Sequence, residues 1–168
     1  MKTNMNTLLI FQIITVIATG LIAGLFYGYS CSVNQGLGNL SDQKYIEGFQ
    51  SINKAIQNPL FFSSFIGSLI FLLITCFLQY RDGISTSFYW LVFATVVYLI
   101  AVFGVTVFLN VPLNEQLDKF QINTATAEEI ATMRKLFEKP WNNYHTIRTI
   151  ASISVFLSTI LSLIKLKM

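Results

Sequence analysis

The sequence predicts an all-α protein, a four-helix transmembrane bundle with short amphipathic helices in its two long outer connections. Three observations lead there. Apolar residues make up 54% of the 168 and charged residues only 11%, against the roughly 25% charge of a soluble domain. Those charges are nearly absent from four long apolar runs and crowd into the connections. Each run approaches or exceeds the about 20 residues that cross about 30 Å of hydrocarbon. The spans fall at about 8–30, 60–80, 88–110 and 143–164, in a single integral membrane domain covering 1–168.

The first run is longer than the about 7–15 apolar residues of a signal peptide, which predicts an uncleaved span. Gly20, Gly24 and Gly28 form a doubled G-x-x-x-G ridge, the pattern that lets two helices approach closely in lipid. In the polar stretch that follows, Ser41 or Asp42 is positioned to cap a short helix. Tyr45, Phe49, Ile52 and Ile56 would form its apolar face, with Gln50, Asn53 and Gln57 on another side. Asn58-Pro59 ends that helix, and Pro59 suits the first turn of the second span. Ser64, Gly67 and Ser68 mark a small-residue seam there, and Arg81-Asp82-Gly83 makes a tight connection. The third run stops at Asn110. Thr126-Ala127-Glu128-Glu129 reads as a capping box, opening a helix to about Glu138 with Ile130, Met133 and Phe137 on its apolar side. Pro140 is expected to end or kink it. The last apolar run is Ile147 to Ile164, its helix beginning near Trp141, with Ser154, Ser158 and Ser162 as a small-residue ridge.

The net charge is +3, and no basic block or Arg-rich stripe speaks for a nucleic-acid partner. Cys31 and Cys76 sit in different runs near opposite membrane surfaces, too far apart for a disulfide, and neither belongs to a metal-type pair. Lys2, Arg81, Lys165 and Lys167 lie at the termini and the tight connection. Four crossings put them on one side, which the positive-inside bias makes cytoplasmic. The expected setting is a bacterial cytoplasmic (inner) membrane, with the lipid bilayer as partner and a homo-oligomer compatible with the pattern.

The candidate site begins with Trp141, His145 and Arg148, spaced i, i+4, i+7 and therefore on one helix face. His145 is the only histidine in the chain. Polar side chains at this depth usually face partners or a cavity. Arg148 either holds an anionic or developing negative group or is a snorkelling structural residue. His145 is either a general base, since imidazole titrates near neutral pH, or structural. A zinc site wants at least three protein ligands, and one histidine without nearby carboxylates does not supply them, so no metal is assigned. Asn110 and Asn114 either bind a substrate carbonyl or satisfy helix-end carbonyls. Asn58 and Asn53 join them as candidate substrate-binding groups. Trp141, with Tyr27, Tyr29 and Tyr144, either stacks on a flat ligand or belongs to an interfacial aromatic belt. No nucleophile elbow, Gly-rich phosphate loop, paired carboxylates or cysteine cluster occurs, so nothing supports ATP use, phosphoryl transfer or hydride transfer from a nucleotide.

Four separated motifs then stand out: Gly24-Leu25-Phe26-Tyr27-Gly28-Tyr29-Ser30, Ile52-Asn53-Lys54-Ala55-Ile56-Gln57-Asn58-Pro59, Asn110-Val111-Pro112-Leu113-Asn114, and Trp141-x-x-Tyr144-His145-x-x-Arg148-Thr149. In this order and spacing the chain resembles a large family of small integral membrane proteins that includes the anthrone oxygenases, over nearly its whole length. The resemblance implies a four-helix membrane bundle. It also implies oxidation of a tricyclic anthrone to a quinone by O2 without metal or flavin. In that chemistry His145 would remove the acidic proton, and Arg148, Asn110 and Asn114 would stabilise the enolate. Two readings stay open: a cofactor-independent oxygenase acting on a lipophilic, enolisable aromatic, and a non-catalytic membrane protein that binds a lipophilic small molecule or a protein partner. A transporter is a poorer fit for one small bundle without internal repeats.

Overall fold

The computed structural model describes residues 5–166, so Lys2 and Lys167 lie outside the described residues. Four helices are long and apolar enough to cross a membrane: Met5–Gly38, Pro59–Asp82, Thr86–Asp118 and Ala127–Leu166. No strand occurs among the described residues. The first span is α1 (Met5–Gly28), a π turn at Tyr29–Val33 and the short α2 (Asn34–Gly38). Outside the spans lies α3 (Asp42–Ile56), followed by α4 (Pro59–Asp82) as the second span. The third comprises α5 (Thr86–Val97), π stretches at Tyr98–Gly104 and Thr106–Asn110, and α6 (Val111–Asp118). After a 3-10 turn at Ile122–Thr124 comes α7 (Ala127–Leu166).

Local chemistry sets most boundaries. The Asn58 side-chain oxygen accepts from the Phe61 N–H at 3.0 Å, its amide donates to the Ala55 carbonyl at 2.8 Å, and Pro59 follows at the first helical position. One residue thus closes α3 and opens α4. Gly83 ends α4 at φ 136°, a conformation that side chains with a Cβ rarely adopt. Ser85 then caps α5 by accepting from Phe88 N–H at 3.4 Å. The expected capping box is reciprocal: Thr126 N–H donates to Glu129 Oε2 at 2.7 Å and Glu129 N–H to Thr126 Oγ1 at 3.3 Å. Ser41 occupies the N-cap position of α3, although its side chain makes no capping bond.

Three expectations are corrected. The third span does not stop at Asn110 but runs helically to Asp118, with Pro112 inside the continuous helix directly after the π stretch at Thr106–Asn110, a widened turn of the kind that accommodates a proline. Of the two outcomes expected at Pro140, an end to the helix does not occur; it lies inside a single 40-residue helix. Phe137 and Trp141, on either side of it, are buried in one aromatic cluster with Tyr45 and Phe49, so tertiary packing overrides the local breaker. The glycine ridge is only partly a seam. A Cβ on Gly20 would come within 2.9 Å of the Phe156 ring, whereas Cβ atoms on Gly24 and Gly28 would meet nothing within 4 Å.

Inside the spans, Ile22, Leu72, Tyr98, Val102 and Val155 form the membrane core. Lipid supplies no hydrophobic drive between helices, so buried polar contacts help fix the register. The Thr15 and Thr75 hydroxyls lie 2.8 Å apart, and those of Thr19 and Thr159 lie 3.2 Å apart. At one end Gln12 reaches Ser162 Oγ at 3.2 Å, Ser87 Oγ at 3.3 Å and Gln79 Oε1 at 3.5 Å. Ser87 and Ser162 also donate to each other's backbone carbonyls at 2.9 and 3.0 Å. This clamp joins all four spans and gathers the start of α1, the α4–α5 connection and the end of α7 at one end of the bundle. The two long connections lie at the other. Cys31 and Cys76 are both free thiols.

Replacing Ser162 by Ala is expected to lower unfolding free energy in lipid or bicelles by about 1 kcal/mol, read by steric trapping. An unchanged value would mean that the clamp adds nothing.

Candidate functional site

At the end opposite the clamp, α3 lies across the bundle and a cavity of about 500 Å³ opens beneath it, within the size range of small-molecule pockets. Its walls come from all four spans and α3. The π turns cluster here. Tyr29 begins one, and Phe103, Thr106 and Val107 belong to the others. The wide turn is visible at Gly104, where a Cβ would sit 3.2 Å from the Leu99 carbonyl five residues back. Such bulges re-aim side chains and are frequent at functional sites.

Arg148 is the central polar group. It is only 6% exposed, and no carboxylate among the described residues forms an ion pair with it. One guanidinium nitrogen donates to Thr106 Oγ1 at 3.2 Å, and another to His145 Nδ1 at 3.1 Å. Its Nε has no partner. Aromatic faces cover the cation, with its Cζ 4.8 Å from the Phe26 ring centroid and 5.3 Å from that of Trp141. A buried charge left this way has a desolvation penalty of several kcal/mol to offset, and an anionic atom in the cavity would offset it.

The hydrogen bonds assign the imidazole tautomer. A guanidinium has only donors, so His145 Nδ1 must accept, and Nε2 carries the hydrogen facing the Phe26 carbonyl at 3.2 Å. Thr149, 3.4 Å from Nε2, donates to the His145 carbonyl and contacts the Ser30 hydroxyl at 3.1 Å. Trp141 stacks on His145 with ring centroids 5.0 Å apart and planes 13° apart. Phe26 and Tyr29 also pack on the ring, with centroids 5.6 and 5.2 Å away, and both nitrogens are engaged.

The predicted residues divide into two groups. Trp141, His145, Arg148, Asn114 and Asn53 all line the cavity. Asn114 presents its oxygen to the Trp141 indole N–H at 2.7 Å. Asn53 is 4% exposed with its amide nitrogen unpartnered. Asn110 and Asn58 are not cavity walls. Asn110 donates to the Trp141 carbonyl at 3.3 Å, fixing the third span to α7, and Asn58 is the cap described above. Among the tyrosines, Tyr29 is a wall, while Tyr27 is 59% exposed. Burial and the neighbouring Glu138 carboxylate push the Tyr45 phenol up from its ordinary range, against the lowering effect of Arg134.

Residues not singled out by sequence reasoning complete the site. Phe26 supplies both the aromatic face and the carbonyl, and Thr106 holds the guanidinium. Asp118 lines the cavity with one buried carboxylate oxygen that has no partner. Nothing in the periodicity marks Phe26, but an aspartate inside a helix running on from an apolar span was a readable signal once that helix was extended past Asn110.

These features define a class: a bundle of four membrane-spanning helices with a partly polar cavity at the end covered by its long connections. The anthrone oxygenase family profile matches residues 60–158, and the chain belongs to that family. The match includes Thr106, Asn114, Asp118, Trp141, His145 and Arg148, and leaves out Phe26, Tyr29 and Asn53. No curated protein and no solved structure matches the chain.

Asn58→Ala is expected to lower stability by about 1 kcal/mol through loss of the helix cap, while ligand affinity stays the same. Thermal unfolding in detergent and a binding titration on the same sample test both halves.

Proposed function

We propose that the cavity is a cofactor-independent oxygenase site for a lipophilic, enolisable aromatic of the anthrone type. The observation that carries this is Arg148: a buried cation without a carboxylate, its Nε unpartnered, on the wall of a largely apolar cavity. A substrate whose carbonyl oxygen becomes an enolate would meet this cation as its negative charge develops, and a preorganised donor stabilises that charge most in a dry site. The electron-rich anion then reacts with O2. The ring methylene loses two hydrogens and gains one oxygen atom to become a carbonyl, and the other oxygen atom leaves with those hydrogens as water.

Two of the sequence-derived roles shift in this proposal. The single lone pair of the imidazole ring is engaged by Arg148, so His145 serves as a positioning residue that aims the guanidinium. Asp118, with its unpartnered buried oxygen on the same cavity, takes the proton. Asn114 fixes the Trp141 indole, which is stacked between His145 and Phe137 and so positions the imidazole rather than offering a plate to the substrate. The occupied lone pair also favours a second reading, in which the cavity binds such a ligand without turning it over.

Arg148→Ala is expected to lower kcat for quinone formation from an anthrone by about 10²- to 10³-fold, with Arg148→Lys intermediate. His145→Asn keeps one acceptor and one donor and should retain most activity. Asp118→Asn should lose it. Loss in His145→Asn together with full activity in Asp118→Asn would return the base role to the imidazole. Binding of the anthrone with no turnover in the unmodified protein would favour the second reading.

For the setting, we propose that the clamp end, with Arg81 and Lys165, faces the cytoplasm of a bacterial inner membrane, following the positive-inside bias. With Cys31 and Cys76 replaced by Ser, a cysteine introduced at Asn123, exposed in the connection between the third and fourth spans, should then react with a membrane-impermeant maleimide added to intact spheroplasts. Labelling only after lysis would invert the orientation.

A further inference from the structure

We propose that the natural occupant is an amphiphile resident in the bilayer, an acidic phenol or enol ring bearing an aliphatic chain. The ring sits against Arg148 and the chain leaves sideways between α4 and the third span into lipid. This rests on the reading of Arg148 as the anion holder and adds to it the route and the tail.

The cavity is polar at one end only. Arg148, His145, Asn53, Asn114 and Trp141 gather under α3, and Asn53 Nδ2 and Arg148 Nε are buried donors without partners on its wall. From there the wall turns apolar toward α4 and the third span, through Phe65, Phe103, Phe62, Ile66 and Val107. The last three are 42%, 43% and 38% exposed, so this side is open.

Depth says what it opens to. Ile66 lies about two turns into α4, roughly 10 Å along the axis from its start, within an apolar span. A water entrance at that depth would not be walled by phenylalanine, isoleucine and valine; a lipid entrance would be. Helix α4 meets the π stretch at Tyr98–Gly104 through Phe65, whose carbonyl accepts from the Tyr98 hydroxyl at 2.6 Å and whose ring stacks on Phe103. The exposed walls Phe62, Ile66 and Val107 flank that contact.

The face toward the long connections is partly roofed, with the exposed Gln57 and Glu115 at its rim. Gln50 pins α3 to the third connection by donating to the Leu117 and Phe120 carbonyls at 2.7 and 3.1 Å. Phe49 packs edge-on to Phe137 and Trp141, with centroids 4.6 and 4.8 Å away. A ligand arriving from lipid meets no such barrier. Its chain gains little by leaving one apolar medium for another, so what the chain needs is an exit rather than a pocket.

The test therefore blocks the exit. Affinities of purified protein in nanodiscs are measured for pentadecylphenol and for cresol, which share the head and differ in the chain. The proteins compared are the unmodified chain, Ile66→Trp, Val107→Trp and Arg148→Ala. Both tryptophan variants alter lipid-exposed positions, and monodisperse elution reports their folding. Pentadecylphenol is expected to weaken in each by about tenfold or more beyond any change for cresol, from overpacking at the exit. Arg148→Ala should weaken both ligands alike. Equal effects of the tryptophans on the two ligands, with Arg148→Ala still weakening both, would overturn the lateral tail and leave the anion-holder reading standing. Failure of both ligands to bind, or indifference of both to Arg148→Ala, would overturn the two together.

Discussion

A guanidinium buried at the end of an apolar bundle, with no carboxylate beside it, is the constraint around which this end of the molecule is arranged. Charge in such a place is tolerated only where dipoles and aromatic faces share its field. Thr106, His145, Phe26 and Trp141 each supply one of the protein's contributions. The residues that fix two of them form the next layer: Asn114 on the indole, Asn110 on the Trp141 carbonyl, Thr149 at the imidazole.

The two ends of the bundle differ in what their buried polar groups face. At the clamp, Gln12, Gln79, Ser87 and Ser162 turn toward one another and the helices close on them, leaving only the Gln12 Oε1 of this group without a partner. At the cavity, Arg148 Nε, Asn53 Nδ2 and an Asp118 oxygen are left without protein partners on the wall of an open space. The first arrangement ties helices together. The π turns sit on the cavity side, where a widened helix opens space without breaking the span.

Much of the fold was legible in the sequence because each signal was local. Apolar runs mark spans, the Asn58-Pro59 and Thr126–Glu129 signals mark helix starts, and Trp141, His145 and Arg148 mark one face by spacing alone. Pro140 left two outcomes open, an end or a kink, for the same reason: a proline's local preference is weak against the packing of Phe137 and Trp141 on one cluster, and the helix runs through it. Gly24 and Gly28 carry a helix-pairing pattern that no neighbour in this chain uses. The role of Asn58 was ambiguous because capping and ligand binding need the same amide.

The sequence by itself determined the solvent, the number of crossings and the face of the last helix that carries the cation, since hydropathy and helical spacing depend only on order along the chain. The tertiary structure decided which nitrogen of His145 is free to accept, that Phe26 and Thr106 meet Arg148, and that Asn110 serves the backbone rather than the cavity. Those outcomes depend on residues far apart in sequence arriving within hydrogen-bonding distance, and such distances are set by how the helices pack, not by any one helix.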